Sequence, residues 1–292
     1  MAYITFQPND YFNTKLYTGA NKSVTGVGFQ PDWVWIKQRN TASSAVFDAV
    51  RGTTKYLESN GTQAETTDAT TLTAFGSDGF TLGADSSGYV GGSSQATVGW
   101  NWKANGAGSS NTDGSITSTV SASTTSGFSV VKWTGSGGNA TIGHGLGAVP
   151  KMIIVKSLAN TTSWMVYHSA IGNNSEIYLN GTNGQAGSST AWQDTDPTSS
   201  VFYVAGGAGD GVNASGDYVA YCFAEKKGFS SIGSYIGNGN VNGPMIYTGF
   251  KPAFVLLKNT GSYTSATEDW GIYDNKRNTF NEVDIALFAS AT

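Results

Sequence analysis

Two histidines, one cysteine and 20 carboxylates are the side chains from which catalytic or metal chemistry in this 292-residue chain would have to be drawn. His144 sits in Gly143-His144-Gly145 and His168 ends an apolar run. They form no H-x-x-x-H metal spacing. The simpler reading makes His144 a loop residue and His168 a polar strand end, at the place filled by Asp48 and Asp274 in similar segments. Cys222 lies in an apolar strand and reads as a small core residue. Nucleophilic catalysis needs a Ser or Cys beside a base, and the nearest approach to a nucleophile elbow, Gly233-Ser234-Tyr235-Ile236-Gly237, falls short of G-x-S-x-G. The Gly-rich loops, such as Gly135-Ser136-Gly137-Gly138, open no helix, so they read as turns rather than phosphate cradles. A glycosidase needs two carboxylates across a cleft. Acids are plentiful, but none stands in a recognisable motif, so no enzymatic activity is expected.

Binding offers two candidates. The stretch Asp210 to Asp217 is rich in oxygen ligands, and Asp210, Asn213 and Asp217 are the calcium candidates within it. It lacks the EF-hand order and its bidentate Glu, and a plain β-turn loop is the alternative. No other cofactor is suggested. Trp192 lies in a long polar loop with no close match in the first part of the chain, and its ring is the candidate for stacking on a sugar. The alternative is a Trp that folds back to plug a sandwich edge. Trp164 and Trp270 match one another between repeats, which favours structural roles.

These residues are carried by a chain with few charges and many turns. Charged residues make up 12% of it, about half the usual ~25%. Its 39 Gly, with many Ser, Thr and Asn, signal short strands joined by turns, and the aromatics supply apolar surface to bury. The net charge is −4 and no Lys/Arg cluster exists, so a nucleic-acid partner is not expected. The longest apolar run is about five residues, far below the roughly 20 of a membrane-spanning helix. Residues 1–10 show no secretory signal pattern. A single Cys excludes an internal disulfide.

The organising feature is a word that occurs three times: Gly28-Phe29-Gln30-Pro31-Asp32-Trp33-Val34-Trp35-Ile36-Lys37, Gly147-Ala148-Val149-Pro150-Lys151-Met152-Ile153-Ile154-Val155-Lys156 and Gly249-Phe250-Lys251-Pro252-Ala253-Phe254-Val255-Leu256-Leu257-Lys258. Each follows a short strand ending in Gly, and an aromatic strand comes after it. The first two copies close with Val98-Gly99-Trp100-Asn101-Trp102 and Val219-Ala220-Tyr221-Cys222-Phe223. Both alternating faces of the repeated word are largely apolar, which predicts strands covered on two sides, as at the middle of a sandwich. The chain is thus expected to be all-β: unit 1 over residues 1–106, unit 2 over 107–227 and a partial unit 3 over 228–292. Ser44 to Tyr56 is the best place for a helical turn, and Ser115 to Ser123 for an added edge strand. Unit 3 has no closing strand, so either the chain continues in a longer natural protein or a partner completes it.

The words GFQPDWVWIK…FDAVRG, GHGLGAVPKMIIVK…WMVYH and YTGFKPAFVLLK…WGIYDNKRN resemble a module of tailed-phage virion proteins, common in tail-fibre and other appendage proteins of marine cyanophage-type viruses. The resemblance runs from about Tyr11 to the C-terminus. It implies tandem lectin-like, concanavalin-like (jelly-roll) β-sandwich units without known enzymatic activity, and it assigns no functional residue. It further implies a virion structural protein, made in the host cytoplasm and carried on the tail or another appendage. Its partners would be other virion proteins and a host-surface receptor or polysaccharide, and a homo-oligomer, trimers being usual for fibres, is expected. The alternatives are a capsid decoration or head-fibre protein without a receptor role, and a polysaccharide depolymerase.

Overall fold

The computed structural model describes residues 5–40, 44–92, 94–187, 189–207, 211–261 and 268–291. Its sheets are antiparallel throughout, and among the described residues there is no α-helix, only a 3-10 turn at Pro8–Asp10. In unit 1 a leader strand (Phe12–Thr18), a closing strand (Ala96–Trp102), a signature strand (Trp33–Gln38) and a return strand (Ser44–Asp48) lie side by side in that order. Unit 2 repeats the order with Phe128–Gly135, Gly216–Phe223, Met152–Ser157 and Met165–His168. Its sheet is extended by Ser109–Asn111 and Ser118–Ser123 on one side and Ser175–Tyr178 and Ala186–Gly187 on the other. Unit 3 has only Phe254–Leu257, Gly271–Asp274 and Leu287–Phe288.

Register carries the repeat down to single residues. Trp33 faces Asp48 and Trp102, Met152 faces His168 and Phe223, and Phe254 faces Asp274. The helical turn expected within Ser44 to Tyr56 is instead a strand to Asp48 followed by a tight turn. That turn is fixed by the Asp48 carboxylate, which accepts the Arg51 backbone N–H at 2.8 Å while its other oxygen takes the Arg51 guanidinium.

The two-sided cover expected of the signature strand is present in units 1 and 2, where the two covers differ in origin; in unit 3 the strand is only partly buried and Leu257 is exposed. Val34 and Ile36 point into unit 1's own core, under a small sheet formed by Lys22–Thr25, Gly79–Leu82 and Leu72–Gly76. Ile153 and Val155 do the same in unit 2, where Ala140–Gly143 and Val201–Val204 form the cover. The other face, carrying Trp33, Trp35 and Ile154, joins one core shared by all three units, with Trp270, Ile272 and Ala289 from unit 3. Six of the eight tryptophans lie in that shared core, so the largest apolar side chains hold the units to one another.

The units touch head to tail. The signature lysine of unit 2, Lys156, is buried and donates to the Thr62 carbonyl of unit 1 at 3.2 Å. Its counterpart Lys258 donates to the Thr182 carbonyl of unit 2 at 2.8 Å, and Lys37 to the Ala291 carbonyl of unit 3 at 3.2 Å. The Trp164 indole donates to the Glu58 carbonyl, and Trp270 to the equivalent Tyr178 carbonyl, both at 2.8 Å. Unit 1 has Ser44 where the others have this Trp, and Ser59 closes the ring by donating to the Ala289 carbonyl at 3.0 Å. The Lys that ends each repeated word is therefore a bracket between units.

Candidate functional site

At the Pro150 end of unit 2 a shallow depression of about 350 Å³ is lined by Pro150, Lys151, Tyr167, Ser169, Asn173 and Asp196, among others. Its floor follows from strand pairing. Lys151 precedes the signature strand, its carbonyl accepts the Ser169 N–H at 2.8 Å, and Tyr167 sits one residue before the end of the return strand. The turn after His168 is held by its own carbonyl and ring: Ile171 N–H donates to the carbonyl at 3.0 Å and Ala170 N–H to Nδ1 at 3.1 Å. Gly172 completes it at φ +82°, a conformation that favours glycine.

The far wall comes from the loop around Trp192. Gln193 donates to the Ala140 and Val204 carbonyls at 2.9 and 2.7 Å, which ties the loop to the covering sheet and sets Asp196 over the floor. One oxygen of Asp196 accepts both the Tyr167 hydroxyl at 3.1 Å and the Asn173 amide at 3.0 Å. Burial first, and then the Asp196 charge, push the Tyr167 phenol upward, so it remains a protonated donor. The depression offers an amide, a carboxylate, an ammonium and hydroxyls at a partly apolar floor, a set that suits polyhydroxylated ligands. Asp196 is its only carboxylate, so the acid and base pair of glycoside hydrolysis is missing from this lining.

Trp192 itself corrects the expectation of a sugar-stacking ring. It is 2% exposed and packs edge-on against Tyr167 with ring centroids 5.7 Å apart. Its loop is tied to the end of the covering sheet, the Ala205 N–H donating to the Ala191 carbonyl at 2.9 Å, and the ring belongs to unit 2's core rather than to the lining of the depression. Every tryptophan is at most 8% exposed, so none presents a free face. Two of the three calcium candidates are engaged elsewhere. Asp210 lies outside the described residues. Asn213 is buried and spends its amide on structure: Oδ1 accepts the Trp133 indole at 3.0 Å, and Nδ2 donates to Ser136 and Gly138 at 3.0 and 2.7 Å. Asp217 is paired with Lys132 at 2.7 Å and Thr134 at 2.6 Å on the leader strand. Among the described residues no three His, Cys, Asp or Glu side chains stand close enough to hold a metal.

His144 is buried with both ring nitrogens engaged: Nδ1 accepts the Leu146 N–H at 3.2 Å and Nε2 faces the Thr198 carbonyl at 3.2 Å. Burial, the largest influence, lowers its pKa. Cys222 is buried in unit 2's core, where burial pushes the thiol far up and away from reactivity.

Sequence reasoning pointed at the Trp192 loop because unit 1 has no match for it, and that loop does supply Asp196. It missed Tyr167 and Asn173, whose positions carry no signal of their own. It also missed the inter-unit role of the D-x-x-R pairs. Asp48 accepts the Tyr221 hydroxyl of unit 2 at 2.8 Å, and Asp274 accepts the Trp100 indole of unit 1 at 3.0 Å.

Residues 7–292 match the family described as a domain of unknown function, DUF7483. The chain belongs to that family. No curated protein and no solved structure matches it.

Proposed function

We propose that this chain is a non-enzymatic structural protein of a phage virion, part of a tail fibre or related appendage. In this reading its units are lectin-like jelly-roll sandwiches, and unit 2 contacts host-surface glycans through the depression bounded by Tyr167, Asn173 and Asp196. The observation that carries the reading is the division of labour between repeat and loop. The apolar residues and the lysine common to the units are spent on the shared core and its brackets, while the depression, though entered at the common Pro150, takes its polar side chains from positions where unit 2 differs: Lys151 and Tyr167 stand where unit 1 has Asp32 and Phe47, and Asp196 comes from the loop that unit 1 does not match. A scaffold that holds one loop cluster rigidly is what a surface-binding module needs. The resemblance of the repeated words to phage appendage proteins supports the same assignment.

The test is adsorption. Purified protein should bind host cells and compete with phage attachment, and Asp196→Ala should weaken binding about tenfold, the effect of losing roughly 1.4 kcal/mol. Its melting temperature should hardly move. Unchanged binding by the variant would remove the depression from the reading. A protein that neither binds cells nor competes, and whose density in particle images lies on the capsid, would overturn the adhesive role.

A further inference from the structure

The turn after the return strand occurs three times, and the side chain that fastens it differs in one copy. In unit 3 the Asp274 carboxylate accepts the Lys276 and Arg277 backbone N–H groups at 3.0 and 2.8 Å, and its other oxygen takes the Arg277 guanidinium at 2.6 Å. In unit 1 Asp48 holds the Arg51 N–H and guanidinium in the same way. In unit 2 the position is His168, and Ile171 replaces the arginine. There a ring nitrogen is the acceptor: Nδ1 takes the Ala170 N–H at 3.1 Å, the bond that Lys276 makes to Asp274. Main-chain bonds add to it, with Ile171 and Gly172 donating to the His168 carbonyl at 3.0 and 3.2 Å. This turn walls the depression with Ser169, Gly172, Asn173 and Asn174, and Asn173 closes the wall by donating to Asp196 at 3.0 Å.

A neutral imidazole accepts at one nitrogen and donates at the other, whereas an imidazolium donates at both. Nδ1 is the accepting nitrogen of His168, so the second proton must go there. It then faces the Ala170 N–H, donor against donor, and the bond that fastens the turn is lost. The charges around the ring do not undo this. Glu225, beyond the closing strand, favours the imidazolium, but burial outweighs it and lowers the pKa of His168 from 6.5. Its partner across the signature strand is the uncharged Met152. On the next strand, Glu176 is bonded to Tyr178 and Ser189. Lys151 and Asp196 stand on other walls of the depression, and Asp196 is engaged by Tyr167 and Asn173. Residues 169–172 bring no charge.

We infer that His168 is a proton-operated latch on the depression: the neutral ring holds residues 168–174 in the shape that sets Asn173 against Asp196, and a proton on Nδ1 releases them. Binding is thereby strongest at neutral pH and falls on acidification, a regulation that rests on the depression being the glycan site. The sign follows from linkage. In the open turn the ring meets water and has its ordinary pKa of about 6.5, whereas in the closed turn the pKa is lower. The open form therefore takes the proton more readily, and acidification below about pH 6.5 favours it. From pH 7.5 to 5.5 the ratio of open to closed turn rises by at most about tenfold. Apparent affinity falls with the closed fraction.

Isotope-labelled protein titrated from about pH 7.5 to 5 and followed by NMR tests the latch. The Ala170 backbone amide and the Asn173 side-chain amide should both move with the midpoint of the His168 ring, below about pH 6.5. In His168→Asn the side-chain oxygen takes the place of Nδ1 and accepts without titrating, so neither signal should move at that midpoint. His144, the other histidine, is read separately at Leu146, whose N–H it holds. An Asn173 amide that stays still while His168 titrates overturns the proposal, and so does movement that persists in His168→Asn. Adsorption to host cells is the second arm. The parent should bind about two- to threefold less at pH 5.5 than at pH 7.5, as expected of a turn held by a few ordinary hydrogen bonds, and His168→Asn should bind equally at both. Equal adsorption of the parent at both values overturns the latch and leaves the glycan reading standing, whereas no adsorption at either overturns both.

Discussion

The contact between units 1 and 2 and the contact between units 2 and 3 share a bracket and differ in their filling. Both have the signature lysine reaching a loop carbonyl and a Trp indole reaching a backbone carbonyl one strand away. Among the described residues only the first has a closing strand behind it, with Tyr221 bonded to Asp48 and three rings around Trp33. The polar brackets are therefore a property of the repeat itself, whereas the aromatic filling belongs to the closing strand. Directional bonds fix how the units meet, and buried rings supply most of the reason for them to stay together.

The largest effect should come from the corner pairs. Arg51 and Asp48 have side chains with no exposed surface, and Arg51 also bonds the Val46 carbonyl at 2.8 Å. Asp48→Ala leaves that buried guanidinium with only the Glu65 carboxylate, 3.2 Å from its far nitrogen, and deprives Tyr221 of its acceptor. Breaking such a pair from one side costs about 3–5 kcal/mol. At the matching corner of unit 2, Ile171 stands where Arg51 does, and His168 is only half-buried. His168→Ala should cost about 1 kcal/mol, the loss of one ordinary hydrogen bond. Urea unfolding of the two variants checks this. Equal losses would mean that the corner charge pair does not strengthen the complete contact.

A second comparison uses one repeat position in two packings. Trp33 touches Trp102, Tyr221 and Phe128 with centroids 4.3, 4.6 and 5.5 Å away, while Met152 is half-buried at the contact that lacks a closing strand. Trp33→Ala should cost about 2 kcal/mol more than Met152→Ala, since truncation of a fully packed ring leaves the larger cavity. Thermal unfolding of both variants gives the difference. A difference near zero would show that the shared core is not held mainly by its aromatics.

Much of this could be read from the residue order, for reasons that also set the limit. The strands, their alternation and the equivalence of Trp33, Met152 and Phe254 follow from a local pattern, and a local pattern repeats where the local fold repeats. Two apolar faces said that each signature strand is covered twice, but not that one cover is the other two units. Contacts such as Trp100 with Asp274 join residues 174 positions apart, and no spacing rule announces them. Lys37, Lys156 and Lys258 were visible as a repeated letter, while their partners, backbone carbonyls of another unit, have no letter at all. The same holds at the candidate site. The Trp192 loop stood out by having no match in unit 1, yet its indole went to the core and the short Asp196 four residues on reached the surface. Ring size favours burial once a covering sheet is within reach.

The smallest effect concerns the lysines and depends on pH. Lys37 is 3% exposed, and burial, only partly offset by Asp269, lowers its pKa from 10.5 to about 8. Between those values the unfolded chain binds more protons at this residue than the native chain does, so its contribution to stability rises with pH across that window. Below about pH 8 the native state carries the full cost of a buried ammonium. In Lys37→Met the term is absent. The stability of the parent relative to this variant should therefore climb from pH 8 to 10, by at most about 1.4 kcal/mol per unit. Ionisation of tyrosines in the unfolded chain acts in the opposite sense above about pH 10, but equally in both proteins, so it cancels from the difference. Lys258 brackets the contact that has no closing strand, is less buried, and is lowered by the same cause to a lesser degree. Lys258→Met should give a shallower slope, and a slope as steep as that of Lys37→Met would mean that the closing strand does nothing to dry the bracket beside it.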